Sequence, residues 1–309
     1  MSPSVSIIIP LYNKETFIKR VLTCIEGQTF QDWECIIVDD GSTDTSPEIA
    51  KEFIINRGNR WRYIRQENRG QASARNLGID ASSGRYIAFL DADDFWPANK
   101  TYSQFLAMEA DPECVLVLSQ FVIFNQKSKL PRLISHSDTN KLFTGWLSML
   151  GFGGGIESVG LVRRSALGSD LRFDESLSTS SGLDFSIKVA ERGSICFLKE
   201  IGLLYRISEG QWHSDTKELL RNLVVIREKY QSSTEDSLLK YHSAYIFWAG
   251  IKPLGLKTFA FELSKSLLHP DNERNEMAYR LIRRNFEAKI LGLLKYRYIK
   301  NLLTEENHS

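Results

Sequence analysis

Apolar residues in the first third of the chain form short runs separated by polar loops. The runs at residues 5–9, 34–38 and 86–90 are nearly continuous, which is typical of buried strands. Residues 61–64 form a weaker run. Between these runs, residues 15–26, the segment that opens at Ser46-Pro47 and residues 72–81 predict helices. Pro10 is expected to end the first strand.

This alternation of strand and helix predicts an α/β fold with a mostly parallel sheet and helices on both faces. Residues 111–210 are mixed, with strands expected at 115–124, 159–162 and 195–198 and a helix at 182–192. Beyond about residue 215 the apolar spacing predicts helix almost throughout. The predicted organisation is therefore a domain over residues 1–214 and a helical C-terminal extension over residues 215–309.

Three polar loops follow the predicted parallel strands, at residues 10–14, 39–43 and 91–94. Ligands of such sheets bind at the carboxyl ends of the strands. Asp91, Asp93 and Asp94 repel one another unless their charge is neutralised, usually by a divalent cation with oxygen ligands. The alternative is an acidic turn in which Asp94 caps the next helix.

The other loops carry further candidates. Asp40 can accept a hydrogen bond from a nucleobase or a ribose, although residues 39–44 also suit a tight turn followed by a helix cap. Arg75, in the helix after the third strand, can face a phosphate together with the N-terminus of that helix. Alternatively, Arg75 ties this helix to neighbouring loops.

Four segments in this order resemble the inverting glycosyltransferases of family 2, which have the Rossmann-like GT-A fold. They are residues 5–13 (VSIIIPLYN), 37–44 (IVDDGSTD), 68–76 (NRGQASARN) and 84–94 (GRYIAFLDADD). The likeness continues more weakly at residues 173–177 and 204–206. It implies transfer of a sugar from a nucleotide-sugar donor, expected to be UDP-linked, to a hydroxyl of a glycan or a lipid-linked saccharide.

The resemblance also assigns roles to individual residues. Pro10 and Tyr12 line the base pocket, and Asp40 binds the base. Asp91 and Asp93 form a DxD element, with Asp91 near the ribose and Asp93 on a Mn²⁺ or Mg²⁺ ion that bridges the diphosphate. This metal would neutralise charge on the leaving nucleoside diphosphate.

Two features expected of the family are displaced in this chain. An inverting enzyme needs a general base for the acceptor hydroxyl, usually in a Glu-Asp pair about seven residues after the FDE segment, but those positions are Ser181 and Gly182. Asp184 is the nearest substitute, provided that Gly182 and Leu183 precede the helix; otherwise it is a carboxylate favoured by the helix dipole. Family members often carry a histidine after the Tyr-Arg pair, where this chain has Ser208. His213 follows and is a second candidate metal ligand, or a surface histidine.

Composition and charge limit the kinds of ligand and partner that this chain is expected to bind. The formal net charge of the 309 residues is +1, which gives no reason to expect nucleic acid. The four cysteines form no CxxC pair, which favours free thiols in a reducing cytosol over a zinc site. The sequence shows neither a signal peptide nor an apolar run of about 20 residues. A basic, aromatic-rich end (residues 280–300) indicates a peripheral contact with the inner face of the membrane, or a solvated helix face.

Three interpretations follow. The leading one is a cytoplasmic, metal-dependent glycosyltransferase of polysaccharide biosynthesis. A sugar nucleotidyltransferase would require a glycine-rich basic loop after the first strand, which residues 10–13 do not provide. A donor-binding pseudoenzyme with a helical interaction tail is the non-enzymatic alternative, supported by the missing Glu-Asp pair.

Overall fold

The computed structural model describes residues 2–125, 132–134, 156–178 and 180–207, and the four residues 222, 225, 226 and 229. The strands are β1 (Val5–Leu11), β2 (Trp33–Asp39), β3 (Trp61–Arg65), β4 (Tyr86–Phe89), β5 (Cys114–Asn125), β6 (Arg132–Ile134), β7 (Gly160–Arg163) and β8 (Ser194–Ile207). The helices are α1 (Ile18–Glu26), α2 (Ser46–Ile54), α3 (Gln71–Ala81), α4 (Lys100–Ala110), α5 (Ile156–Val159), α6 (Arg164–Leu167) and α7 (Ser181–Ala190).

The described strands form one mixed sheet in the order β3-β2-β1-β4-β7-β5-β6, and β8 pairs with β5. The pairs among β1 to β4 are parallel, which confirms the sheet predicted for the first third of the chain. β7 is antiparallel to both β4 and β5, and β8 is parallel to β5. The carboxyl ends of β1, β2 and β4 therefore share one edge.

β1 is the buried centre of this parallel part, and all seven of its residues are buried. The prediction that Pro10 ends the strand is wrong, because β1 continues to Leu11 and Pro10 pairs in register with Val38 of β2. β4 pairs with β1 only as far as Ile8. Pro10 therefore lies beyond that ladder, where its missing N–H costs little.

Helix α3 packs against β1 and β2 at very short range. A Cβ at Gly78 would lie 2.3 Å from Cγ2 of Ile8, so only glycine permits this approach. Ala74, on the same helix, is fully buried against Ile36 and Val38. The small residues of α3 bring its N-terminal turn close to the edge of the sheet.

The second half departs more from the sequence prediction. β8 runs from Ser194 to Ile207, well beyond the four residues predicted, because it pairs with β5 along that strand's length. The pairing shifts register around Ser119 and Gln120, where polar residues interrupt the apolar run. α1 begins at Ile18 rather than at residue 15, and α7 begins at Ser181.

The chain divides into two compact units, Met1–Tyr245 and Ile246–Ser309, and every described residue lies in the first. The predicted boundary between residues 214 and 215, the predicted helices beyond it, His213 and the basic end lie outside the described residues, apart from four positions between 222 and 229. Within the described part, no helix combines the length and the apolar character needed to cross a membrane.

Candidate functional site

The loops after β1 and β2 are tied together by side-chain hydrogen bonds. Asn13, in the left-handed region at φ 50°, accepts a bond from the Thr43 N–H at 2.8 Å. The Asn13 N–H donates to Ser42 Oγ at 3.1 Å, and the Lys14 N–H to Ser46 Oγ at 2.7 Å. The two loops thus lie together at one edge of the sheet, as their positions in the sequence predicted.

The carboxylates of Asp39 and Asp40 stabilise the backbone next to these loops through hydrogen bonds. Asp39 is fully buried and accepts bonds from the Ser42 N–H at 2.9 Å, Tyr63 Oη at 2.6 Å and the Arg65 guanidinium at 2.8 Å. Burial and the bond to Asp39 raise the pKa of the Tyr63 hydroxyl. Asp39 therefore fixes β3 and the turn after β2.

Asp40 is also buried, at 3% exposure, and both of its oxygens accept hydrogen bonds. Oδ1 accepts from Gln66 Nε2 at 2.7 Å and from the Arg69 N–H at 2.9 Å. Oδ2 accepts from the N–H of Gly70, whose φ of 91° turns the chain into α3, at 2.8 Å. Asp40 thus organises the loop before α3, a function that the sequence did not predict.

Pro10 and Tyr12 differ in their exposure. Pro10 is buried within β1, whereas Tyr12 is 45% exposed just beyond the end of the strand. An exposed aromatic ring at this edge can stack on a planar base.

Asp91 lies directly beyond β4 and binds α3. Its Oδ1 accepts from Gln71 Nε2 and from Nη2 of Arg75, each at 2.8 Å. Arg75 is 3% exposed, and its Nη1 lies 3.5 Å from Oε1 of Glu157. One buried guanidinium therefore joins two carboxylates. The contact with Asp91 ties α3 to a neighbouring loop, which is one of the two readings of Arg75 that the sequence left open, and its role toward a phosphate stays a prediction. Nothing in the sequence indicated Glu157.

Asp93 faces the loop after β1. Its Oδ2 lies 2.6 Å from the ammonium of Lys14, which the sequence analysis did not single out. Asp94 is fully buried and accepts a bond from the Arg206 N–H at 3.0 Å. Burial and the charges of Asp91 and Asp93 hold the pKa of Asp94 well above its ordinary value.

Asp184 lies within α7, because that helix begins at Ser181. The condition that Gly182 and Leu183 precede the helix is therefore not met. Its carboxylate is fully buried and lies 2.6 Å from the Lys188 ammonium and 2.8 Å from that of Lys229. These contacts are those of a structural ion pair, and the catalytic role of Asp184 stays a prediction.

The acidic loop offers hard oxygen ligands of the kind that Mg²⁺ and Mn²⁺ take. No group of three or more His, Cys, Asp or Glu side chains arranged around a common metal position occurs among the described residues. Asp93 is paired with the Lys14 ammonium, so a divalent ion at this carboxylate would have to replace that contact.

Comparison with known proteins gives one family. The sequence profile described as "Glycosyl transferase family 2" matches residues 6–167. The chain is 44% identical over 91 residues to Glycosyltransferase GlyA and 40% identical over 115 residues to Glycosyltransferase GlyG, both of Streptococcus pneumoniae. These alignments cover 29% and 36% of the chain, and 13% and 38% of the two relatives' own lengths.

Solved structures share the fold. TarS 1-349 of S. aureus in complex with UDP-GlcNAc superimposes with a TM-score of 0.70 at 19% identity, over 99% of this chain and 92% of that one. The mannosyltransferase PcManGT from Pyrobaculum calidifontis, in complex with GDP-Man and Mn²⁺, gives 0.60 at 19% identity, over 94% and 81%. The predicted GT-A fold is confirmed.

Proposed function

Because this chain belongs to glycosyl transferase family 2, we propose that it transfers a sugar from a nucleotide-sugar donor to a hydroxyl group. The observation that carries the proposal is the shared edge of β1, β2 and β4. Asp40, Asp91 and Asp93 meet there, held by Lys14, Arg75 and the loop before α3. Such an edge is where open α/β sheets bind nucleotides.

The donor lies across this edge in the proposal. Tyr12 stacks on the base above Pro10, Asp40 keeps its loop in the shape that receives the base, and Asp91 lies near the ribose. The bound UDP-GlcNAc of TarS supports a UDP-linked donor, and GDP-Man in PcManGT makes a guanine nucleotide the competing choice. Arg75 acts here by fixing Asp91.

Asp93 would hold a divalent cation, Mn²⁺ or Mg²⁺, and His213 stays a predicted second ligand. Such an ion supplies positive charge to the diphosphate when bound. Lys14, 2.6 Å from Asp93, places its own positive charge at the same carboxylate. The acceptor is a glycan or a lipid-linked saccharide, the outcome is inversion, and membrane contact through the C-terminal residues stays part of the proposal.

Nucleoside diphosphate release from UDP-GlcNAc, UDP-glucose, UDP-galactose and GDP-mannose, with Mn²⁺ and p-nitrophenyl glycosides as acceptors, tests the activity. Calorimetry of UDP and of GDP with and without Mn²⁺ tests the donor site. Asp93→Ala should abolish the metal-dependent part of binding while the fold survives. Asp80→Ala, which removes an exposed carboxylate on α3, is the matched control.

A donor-binding pseudoenzyme is the second candidate, and glycine at position 182 is the observation that favours it. It predicts metal-dependent nucleotide binding without release of nucleoside diphosphate. Turnover with any donor in the panel would exclude it, whereas absence of both binding and turnover would overturn both candidates.

A further inference from the structure

Lys14 combines a fixed backbone with a side chain that makes one polar contact among the described residues. Its N–H donates to Ser46 Oγ at 2.7 Å, and its carbonyl accepts bonds from the N–H groups of Phe17 and Ile18, each at 2.9 Å, at the start of α1. The ammonium lies 2.6 Å from Oδ2 of Asp93. Rotations of the side chain alone can therefore move the ammonium away from Asp93, without any change in the loop after β1.

The two partners differ in their exposure. The side chain of Lys14 is 31% exposed, whereas that of Asp93 is 8% exposed. Water can solvate the ammonium once it leaves, but a buried carboxylate that loses a cation is destabilised unless another cation replaces it. The structure therefore favours a cation at Asp93 more strongly than it favours this particular ammonium.

The guanidinium of Arg75 neutralises a different part of this edge. Its Nη2 lies 2.8 Å from Asp91, and its Nη1 lies 3.5 Å from Glu157. Glu157 also fills the space above Gly182, where a Cβ would lie 0.9 Å from its Oε1. One positive charge is thus shared between two carboxylates, and little of it remains to neutralise the rest of the acidic loop.

Asp94, the neighbour of Asp93, is fully buried. Its Oδ1 accepts a bond from the Arg206 N–H at 3.0 Å, but within the described part of the chain its Oδ2 has no hydrogen-bond partner. An unpartnered buried carboxylate oxygen is unfavourable. This end of the acidic loop therefore suits more positive charge than one ammonium supplies.

An ammonium and a divalent ion compete for Asp93 in this arrangement. Mn²⁺ or Mg²⁺ carries two charges and binds several oxygens at once, whereas an ammonium carries one and only donates hydrogen bonds. In the absence of nucleotide, the ion gains Asp93 only at the expense of the Lys14 contact. The phosphate oxygens of a bound nucleoside diphosphate are both further ligands for the ion and another anion for Lys14. Binding of the ion and binding of the nucleotide are thereby coupled.

We propose that Lys14 is an internal competitor of the divalent cation at Asp93, so that binding of the cation depends on the diphosphate of the donor. This inference rests on the proposed function. Without nucleotide, the ammonium stays on Asp93, and the carboxylate holds a divalent ion weakly. When the diphosphate binds, the ammonium moves to its phosphate oxygens and leaves Oδ2 of Asp93 to the ion.

The test measures Mn²⁺ binding to wild type and to Lys14→Met by calorimetry, alone and with UDP, or with GDP where that nucleotide is the one that binds. Lys14→Met should bind Mn²⁺ alone about tenfold more tightly than wild type, because the ion no longer displaces a charged hydrogen-bond donor. The nucleotide should therefore increase the Mn²⁺ affinity of wild type by a larger factor than that of Lys14→Met, by about tenfold. Lys19→Met, at an exposed lysine of α1, is the matched control and should behave as wild type.

Thermal unfolding gives a second readout, because a ligand that binds only the native state stabilises it. Mn²⁺ alone should raise the Tm of Lys14→Met more than that of wild type, each compared with the same protein without metal. Mn²⁺ binding by Lys14→Met that is equal to or weaker than that of wild type would overturn the competition and leave the donor site in place. Absence of Mn²⁺ binding by both proteins when nucleotide is bound would instead refute the metal site of the proposed function, and this inference with it.

Discussion

Asp40 provides the clearest prediction, because its carboxylate serves the fold as well as the proposed donor site. Asp40→Asn replaces one oxygen by an NH₂ group. If the amide oxygen keeps the side that faces Gln66 and Arg69, the NH₂ group meets the Gly70 N–H, donor against donor. One charge-assisted bond is lost and a backbone donor loses its acceptor.

A hydrogen bond to a charged group contributes roughly 1.5–3 kcal/mol. Gly70 is exposed on its other side, so water replaces part of the lost bond and the lower part of this range applies. We expect a loss of about 1.5–2 kcal/mol in the free energy of unfolding. At about 2–4 °C per kcal/mol for a domain of this size, Tm should fall by about 3–8 °C.

Differential scanning calorimetry measures the change, and UDP binding well below Tm separates the nucleotide contact from stability. Asp32→Asn is the control, since its exposed carboxylate accepts bonds only from Ser4 among the described contacts and should cost about 1 kcal/mol or less. Equal Tm values for Asp40→Asn and wild type would refute the structural role that we assign to this carboxylate.

Three further changes test the packing of the sheet and of helix α3. Arg75→Ala removes the buried guanidinium that Asp91 and Glu157 share and should cost about 3–5 kcal/mol in urea unfolding. The exposed Arg57→Ala should cost less than about 1 kcal/mol. Gly84→Ala puts a Cβ 2.6 Å from the Ser6 nitrogen and should cost about 1–3 kcal/mol, seen as a lower Tm. Burial raises the pKa of Glu34, but bonds from Ser6 and Ser83 outweigh it and lower the pKa below its ordinary value. Glu34→Gln should therefore destabilise the protein at pH 7. The difference should shrink as the pH falls through the lowered pKa, because wild type loses this stability when Glu34 is protonated.

The parallel half of the sheet could be predicted from sequence because its signals are local. Each strand is a short apolar run, and each helix repeats its apolar positions within about ten residues. Strand β8 was predicted at less than half its length, since its second half is specified by pairing with β5, about 80 residues earlier in the chain. Polar residues such as Ser119 mark the register shift in β5, but a sequence alone does not reveal which partner shifts.

The acidic loop was predicted, but two charged residues close to it, Lys14 and Glu157, were not. Asp91 and Asp93 stand out because charges follow a buried strand. Lys14 and Glu157 lie 79 and 66 residues from those aspartates, and neither belongs to a pattern. Asp184 was chosen because it is near Gly182 in sequence, whereas the carboxylate nearest to Gly182 in space comes from another element. Contacts between residues so far apart in the sequence result from the fold, so they could be identified only from the structure.

The contact between Glu157 and Gly182 constrains how this chain could have arisen by single substitutions. A side chain at position 182 and glutamate in its present conformation at position 157 cannot occur together, because their atoms would overlap. An ancestor with a side chain at 182 therefore had to acquire glycine before glutamate could settle in its present place. A side chain at position 182 therefore requires a change at position 157 as well, whereas a smaller residue at 157 leaves Gly182 undisturbed.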